Sequence, residues 1–471
     1  MNGMDPHPPA AEELINIVRR ERTERLFARA RTSIETWLKI REDRDLDSTQ
    51  KYVGRHESQR QALRALLVDA ARSLGERASA LPPATPAGEL CDRCRVLDEA
   101  AVWLERVWDF YRSKFDQRDD PVTGSVVQAA DEVVWSCYHP VMARARGKHR
   151  PQPLPFLASE YSPAALESDK PVPAGLRPSL DPPDWTDALR AATSSLPVTL
   201  LRLPPWCIQD PWWLVFVAHE VGHHVQADLG LVAPFATAIE QAAAAAGADP
   251  DTASKWGRWA REIFADVFSI MMIGRSAVRA VAEVERSTEP RMRVATAAYP
   301  PPVVRLELMA CVADMVDLPG STALSSDPPG AVVKAVAAAA LAQLPGLNRT
   351  LIDVCDVQIA RFGPTGAVGT WTDRLLTTDT FTAVPTHDTA RWVVAGSLEA
   401  WRRIAAEPDP NARETNRARL AKVTIDALRS SAPPGTRGPL IDAGPAPDTR
   451  RLVEALVEAA HTYGAGQGAV Y

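Results

Sequence analysis

The hydrophobic positions fall at helical spacing over most of the chain. Leu26, Ala30, Ile34, Trp37 and Leu38 share one stripe, as do Leu63, Leu66, Leu67, Ala70 and Leu74. A third stripe runs through Leu97, Ala101, Leu104, Trp108, Tyr111 and Phe115. Three amphipathic helices are therefore expected in the first 150 residues, with Arg and Glu interspersed on their outer faces as solvated charge. The clearest strand pattern is "LPVTLLRLPPW" at residues 196–206, a β-branched and aliphatic run between proline turn signals. Directly after it, "DPWWLVFVAHEVGHHVQADLG" at residues 210–230 predicts a helix over 211–229. Asp210 stands in the N-cap position, Pro211 at the first turn, and Gly230 as terminator. A further helix is expected in "SKWGRWAREIFADVFSIMMIG", with Ile263, Phe264, Val267, Phe268, Ile270 and Met271 on its apolar face.

Proline breaks this pattern into regions. The joints fall at residues 81–86, 151–155, 169–185, 299–302 and 431–448. The expected organisation is a helical region over residues 10–150 and a larger domain over 151–430. A Pro/Gly-rich linker and short terminal helix follow over 431–471. The fold class expected is mainly α with a small β-sheet (α+β).

Composition narrows the function. A net charge of -6 offers no bulk attraction to nucleic acid or anionic lipid. The first residues lack an apolar run of signal-peptide length, and the longest run, 212–218, is far short of the roughly 20 residues that span a bilayer. Six cysteines, scattered apart from Cys91 and Cys94, read as reduced thiols, so a cytoplasmic protein without membrane or nucleic-acid partners is expected. Cys137 and His139 could complete a structural zinc site with the Cys91–Cys94 pair. The helical register of Cys94 with Leu97 favours plain thiols instead. The oligomeric state has no signature.

Chemistry concentrates in the helix at 211–229. His219 and His223 are spaced i, i+4, so their imidazoles project from one face and can converge on one ion. Glu220 is rotated about 100° from His219, beside such an ion rather than on it, where a carboxylate takes a proton from activated water. A catalytic zinc takes three protein ligands and leaves one position open. Glu262 is the candidate third ligand. Asp266, one turn later on a helix with a strongly apolar face, would hold an imidazole through its other nitrogen. His224 reads as packed or solvent-facing, and Asp228 is a weaker alternative ligand. Tyr299, Arg305 and His387 are candidate donors to a developing oxyanion.

His219-Glu220-Val221-Gly222-His223 followed by Glu262-Ile263-Phe264-Ala265-Asp266 resembles the gluzincin clan of zinc metallopeptidases, thermolysin-like in its two active-site helices. The likeness covers residues 196–271. It implies Zn²⁺ held by His219, His223 and Glu262, Glu220 as general base, Asp266 orienting His219, and a zincin-like arrangement of the active helices. It also implies an edge strand ahead of the active helix, along which a protein or peptide substrate lies. The gap between His223 and Glu262 is longer than in thermolysin and is filled by "APFATAIEQAAAAAG". Hydrolysis of peptide bonds is thus the leading expectation. The alternatives are a helical interaction scaffold with an inactive or metal-free site, and a zinc hydrolase of a non-peptide amide.

Overall fold

A computed structural model of the protein describes residues 11–46, 56–82, 85–145, 151–159, 164–166, 198–320, 330–381, 389–431 and 448–466. Among these the chain is mainly α, with one small sheet. Four long helices lead: α1 (Ala11–Leu46), α2 (Glu57–Ser79), α3 (Ala87–Asp116) and α4 (Gly124–Ala145). The first three realise the amphipathic stripes of the sequence. The fourth has no stripe to find, because nearly all of it is buried, from Val126 to Met142.

The sheet holds β1 (Leu154–Leu157), β2 (Ala164–Leu166) and β3 (Leu200–Leu203) in the order β1-β3-β2. β1 runs parallel to β3 with Leu154 opposite Leu200, and β2 runs antiparallel with Ala165 opposite Leu201. Two sequence expectations change here. The proline signal at 151–155 overlaps a strand, because Pro155 lies on an outer strand, where the missing N–H costs least. β3, expected at an edge, is flanked on both sides.

Alternation along β3 explains its apolar run. Val198 and Leu200 enter one core while Leu201 and Leu203 enter another, so the strand is buried on both faces. The first core is built from α1 to α3, with Leu154 and Phe156 of β1. It is completed by the last helix, α15 (Thr449–Gly466), whose Leu452, Val453 and Leu456 pack against α2 and α3. The second and larger core contains α4, and then α5 (Val217–Asp228), α6 (Val232–Ala245), α7 (Pro250–Ile273), α8 (Arg275–Glu285) and α9 (Pro302–Met315). It continues through α10 (Ala331–Leu341), α11 (Leu351–Cys355), α12 (Ala367–Thr377), α13 (Thr389–Ala405) and α14 (Pro410–Ser430). Cys94 is buried in the first core and Cys137 in the second, with His139 stacked on Trp135 at 4.2 Å. No helix among the described residues is long and apolar enough to cross a membrane. The segments at 169–185 and most of 431–448 lie outside the described residues.

A buried charge cluster joins the layers. Arg118 grips Asp131 of α4 through Nε at 2.9 Å and a terminal nitrogen at 2.6 Å, and donates to the Pro155 carbonyl of β1 at 3.0 Å. His56, at the start of α2, sits 3.0 Å from the same carboxylate. Burial opposes the Asp131 charge, but Arg118 and then His56 outweigh it and hold its carboxyl well below the usual range. Removing one member leaves a buried charge without its partner. Asp131→Ala should therefore lower unfolding free energy by about 3–5 kcal/mol in urea denaturation. Asp109→Ala, which breaks an exposed pair with Arg112, should cost no more than about 1 kcal/mol.

Candidate metal centre

The chain reaches the site from β3 through two tight turns, Pro205–Ile208 and Pro211–Phe216, the second a 3₁₀ helix that passes into α5. The sequence predicts α-helix from residue 211. Tertiary contacts tighten that first stretch instead: Asp210 makes no cap and bonds Arg417 at 2.8 Å, and Trp212 stacks on Trp401 at 4.7 Å. The far end behaves as read, with Gly230 at φ +68° just past the helix. α7 starts at a firm cap, where the Asp249 side chain accepts from the Thr252 N–H at 3.0 Å and Pro250 opens the first turn.

α5 and α7 cross at Gly222. A methyl group there would lie 2.9 Å from the Ala265 Cα and 3.2 Å from Phe268, so glycine sets the approach of the two backbones. This contact carries the carboxylates of α7 to the histidines of α5. Glu262 Oε2 lies 3.2 Å from His219 Nε2 and 3.3 Å from His223 Nε2. The rings stand perpendicular, with centroids 4.9 Å apart. One ligand atom from each of His219, His223 and Glu262 falls within 4.8 Å of the others, the one such grouping among the described residues.

Support comes from behind. His219 Nδ1 lies 2.9 Å from Asp266 Oδ1, an ion-pair distance, though not in line for a well-formed hydrogen bond. Asp266 is buried and is gripped in turn by Arg305 of α9 through two bonds of 2.8 Å. The remaining Arg305 nitrogen donates to Glu285 at 2.7 Å. Burial works against charge on every member, but mutual pairing prevails. Arg305 holds the Asp266 carboxyl below its ordinary range, and the two histidines hold Glu262 below its own. For His219, burial would lower the pKa, yet the contacts with Asp266 and Glu262 carry it up to about 10. Without an ion, Glu262 thus bridges the two imidazoles at the point where a cation would sit.

Glu220 is buried on the same helix and near enough to add its field to His219 and to Tyr299. Tyr299 joins the cluster from the turn before α9. Its hydroxyl pKa is pushed up by burial and then by Glu262, and the Arg305 guanidinium lies 4.7 Å over its ring. Arg305 has all three guanidinium nitrogens engaged, two by Asp266 and one by Glu285, so it anchors Asp266. His387 lies outside the described residues. His224 points to the opposite side, buried, with Nε2 3.2 Å from the Leu200 carbonyl of β3. Asp228 accepts from the Tyr138 hydroxyl at 2.7 Å, away from the cluster.

Motif spacing and periodicity reveal neither the helix contact at Gly222 nor the Arg305–Asp266 pairing. A glycine inside a helical pattern costs about 1 kcal/mol against alanine and so signals a packing reason, which was the available clue for Gly222. Nothing in the local pattern around Arg305 names its partner 39 residues away. No protein-family model, no curated protein and no solved structure matches this chain.

The donor set suits a zinc ion: two imidazole nitrogens and one carboxylate oxygen converge, one imidazole is backed by a carboxylate, and a second carboxylate stands to the side. The geometry also gives Gly222 a measurable role. Gly222→Ala should force α5 and α7 apart and cost about 1–3 kcal/mol in chemical denaturation. The same variant should bind zinc more weakly than the native chain in a competition titration with a chromogenic chelator.

Proposed function

We propose that the protein is a zinc-dependent metallopeptidase of gluzincin type, with zincin-like active-site helices, acting on a protein or peptide substrate. The observation that carries this reading is the meeting of His219, His223 and Glu262 from two helices, with Glu220 beside them and outside the ligand set. A purely structural metal site has no use for a neighbouring carboxylate that binds nothing. When bound, zinc supplies Lewis acidity, which acidifies water toward neutral pH and polarises the substrate carbonyl. Glu220 accepts the proton of the attacking water and delivers it to the leaving amide nitrogen. Asp266, held by Arg305, fixes the His219 ring so that Nε2 faces inward. Tyr299, whose hydroxyl feels the charges of Glu262 and Glu220, would donate to the oxyanion. Six free cysteines favour a cytoplasmic location.

Metal content tests this reading before any substrate is known. Protein expressed in zinc-replete medium should carry about one zinc per chain by mass spectrometry of the metal, and none bound would return the site to a scaffold role. Glu220→Gln should keep the metal and the melting temperature but lose hydrolysis, whereas His223→Ala should lose both metal and activity. Under a chelator challenge, Glu262→Ala should lose zinc first. Asp266→Asn should follow with an affinity about 10 to 100-fold below the native chain. Complete metal loss from Asp266→Asn with retention by Glu262→Ala would exchange the roles of the two carboxylates.

A further inference from the structure

A second feature lies apart from the His219 cluster and shares no residue with it. Between α4, α12 and α13 the surface opens into a cavity of about 620 Å³. Four arginines reach its lining: Arg144 from α4, Arg361 from the turn before α12, Arg374 from α12 and Arg391 from α13. Among the described residues the lining holds a single carboxylate, Asp356, which is bonded to Arg144 at 2.6 Å. On a chain of net charge -6, the described lining is net positive.

Two of the guanidinium groups, those of Arg361 and Arg374, are oriented by neutral neighbours. Arg374 lies 4.5 Å over the Trp371 ring and 5.3 Å from Phe381, and Arg391 lies 4.4 Å over Trp392. Arg361 bonds the Gln358 amide oxygen at 3.2 Å. Among the described residues, no carboxylate is paired with Arg361 or Arg374. Neither stacking on a ring nor a bond to an amide oxygen neutralises a guanidinium, so the charges of Arg361 and Arg374 stay available. α12 also begins here. Its N-cap, Gly366, supplies no side-chain cap, and Thr365, Gly366, Ala367 and Thr370 form that wall, so the positive end of the helix adds to the field.

We infer that this cavity binds a multiply charged phosphate-bearing anion, such as the diphosphate group of a small organic molecule. Planar guanidinium forks match phosphate oxygens in pairs, which favours phosphate over a single carboxylate, and the volume exceeds what one phosphate fills. Binding needs little rearrangement, since rings already hold Arg374 and Arg391. The cavity also touches the other site's framework. Arg391 reaches the Met272 sulfur at 3.5 Å, and Met272 belongs to α7, the helix that carries Glu262 and Asp266.

The test is calorimetric titration of inorganic pyrophosphate into the full chain at low and at raised salt. Saturable binding that weakens with salt is expected, with Arg361→Ala and the double variant Arg361→Ala/Arg374→Gln reducing affinity about tenfold or more. Both positions are exposed, so melting temperatures should stay near the native value. Arg361 lies outside every aromatic stack described, which makes its single variant the cleaner of the two. The paired change Arg93→Ala/Arg112→Ala on α3 should bind as the native chain does. Absence of saturable binding by the native chain, undiminished binding by both cavity variants, or an equal loss in the α3 variant would each overturn the assignment.

Discussion

The absence of one methyl group sets the distance on which the candidate centre depends. With glycine at 222, α5 settles against Ala265 and Phe268 of α7 more closely than any side chain would permit. Glu262 lies one turn before Ala265 on the same helix, and His219 and His223 lie on either side of Gly222. The backbone contact and the ligand contacts are thus one geometry. Close-packed helices move as units, so a shift at the crossing is transmitted to the carboxylate rather than absorbed.

Behind that crossing, charge is handled by enclosure in pairs. Asp266 would be costly to bury alone, and it is held between His219 and a two-bond grip from Arg305. Arg305 in turn meets Glu285, at the end of α8, so the cluster reaches outward through alternating charges. The Arg118–Asp131–His56 group repeats the device at the seam between the two cores, where it also fastens β1 through Pro155. The cavity above α12 is the contrasting case: Arg374 rests on aromatic rings and Arg361 on a neutral amide, with no carboxylate paired to either among the described residues.

The sheet links these parts. β3 contributes Leu200 to one core and Leu201 and Leu203 to the other, and the Leu200 carbonyl meets His224 on the back of α5. The helix carrying the histidines is therefore fixed from both sides, by β3 on one and α7 on the other. His224, adjacent to His223 but turned about 100° away, serves packing while its neighbour faces the candidate centre.

Local pattern alone determined the helical stripes of α1 to α3, the apolar strand before α5, the end of α5 at Gly230, and the grouping of His219, Glu220 and His223 on one helix and of Glu262 and Asp266 on another. Each of these follows from periodicity or from side-chain chemistry at short spacing, which a chain carries wherever it folds. Tertiary structure decided the rest. α4 is buried almost all round and so shows no stripe, while β1 hides under a proline signal because only its place beside β3 makes it a strand. Residues 211–216 tighten into a 3₁₀ turn because Asp210 is drawn to Arg417, more than two hundred residues away. Arg305 carries its full donor set in sequence, but which acceptor it serves depends on α9 lying beside α7. Long-range contacts of this kind are chosen by shape and burial when the helices pack, and no local spacing encodes them.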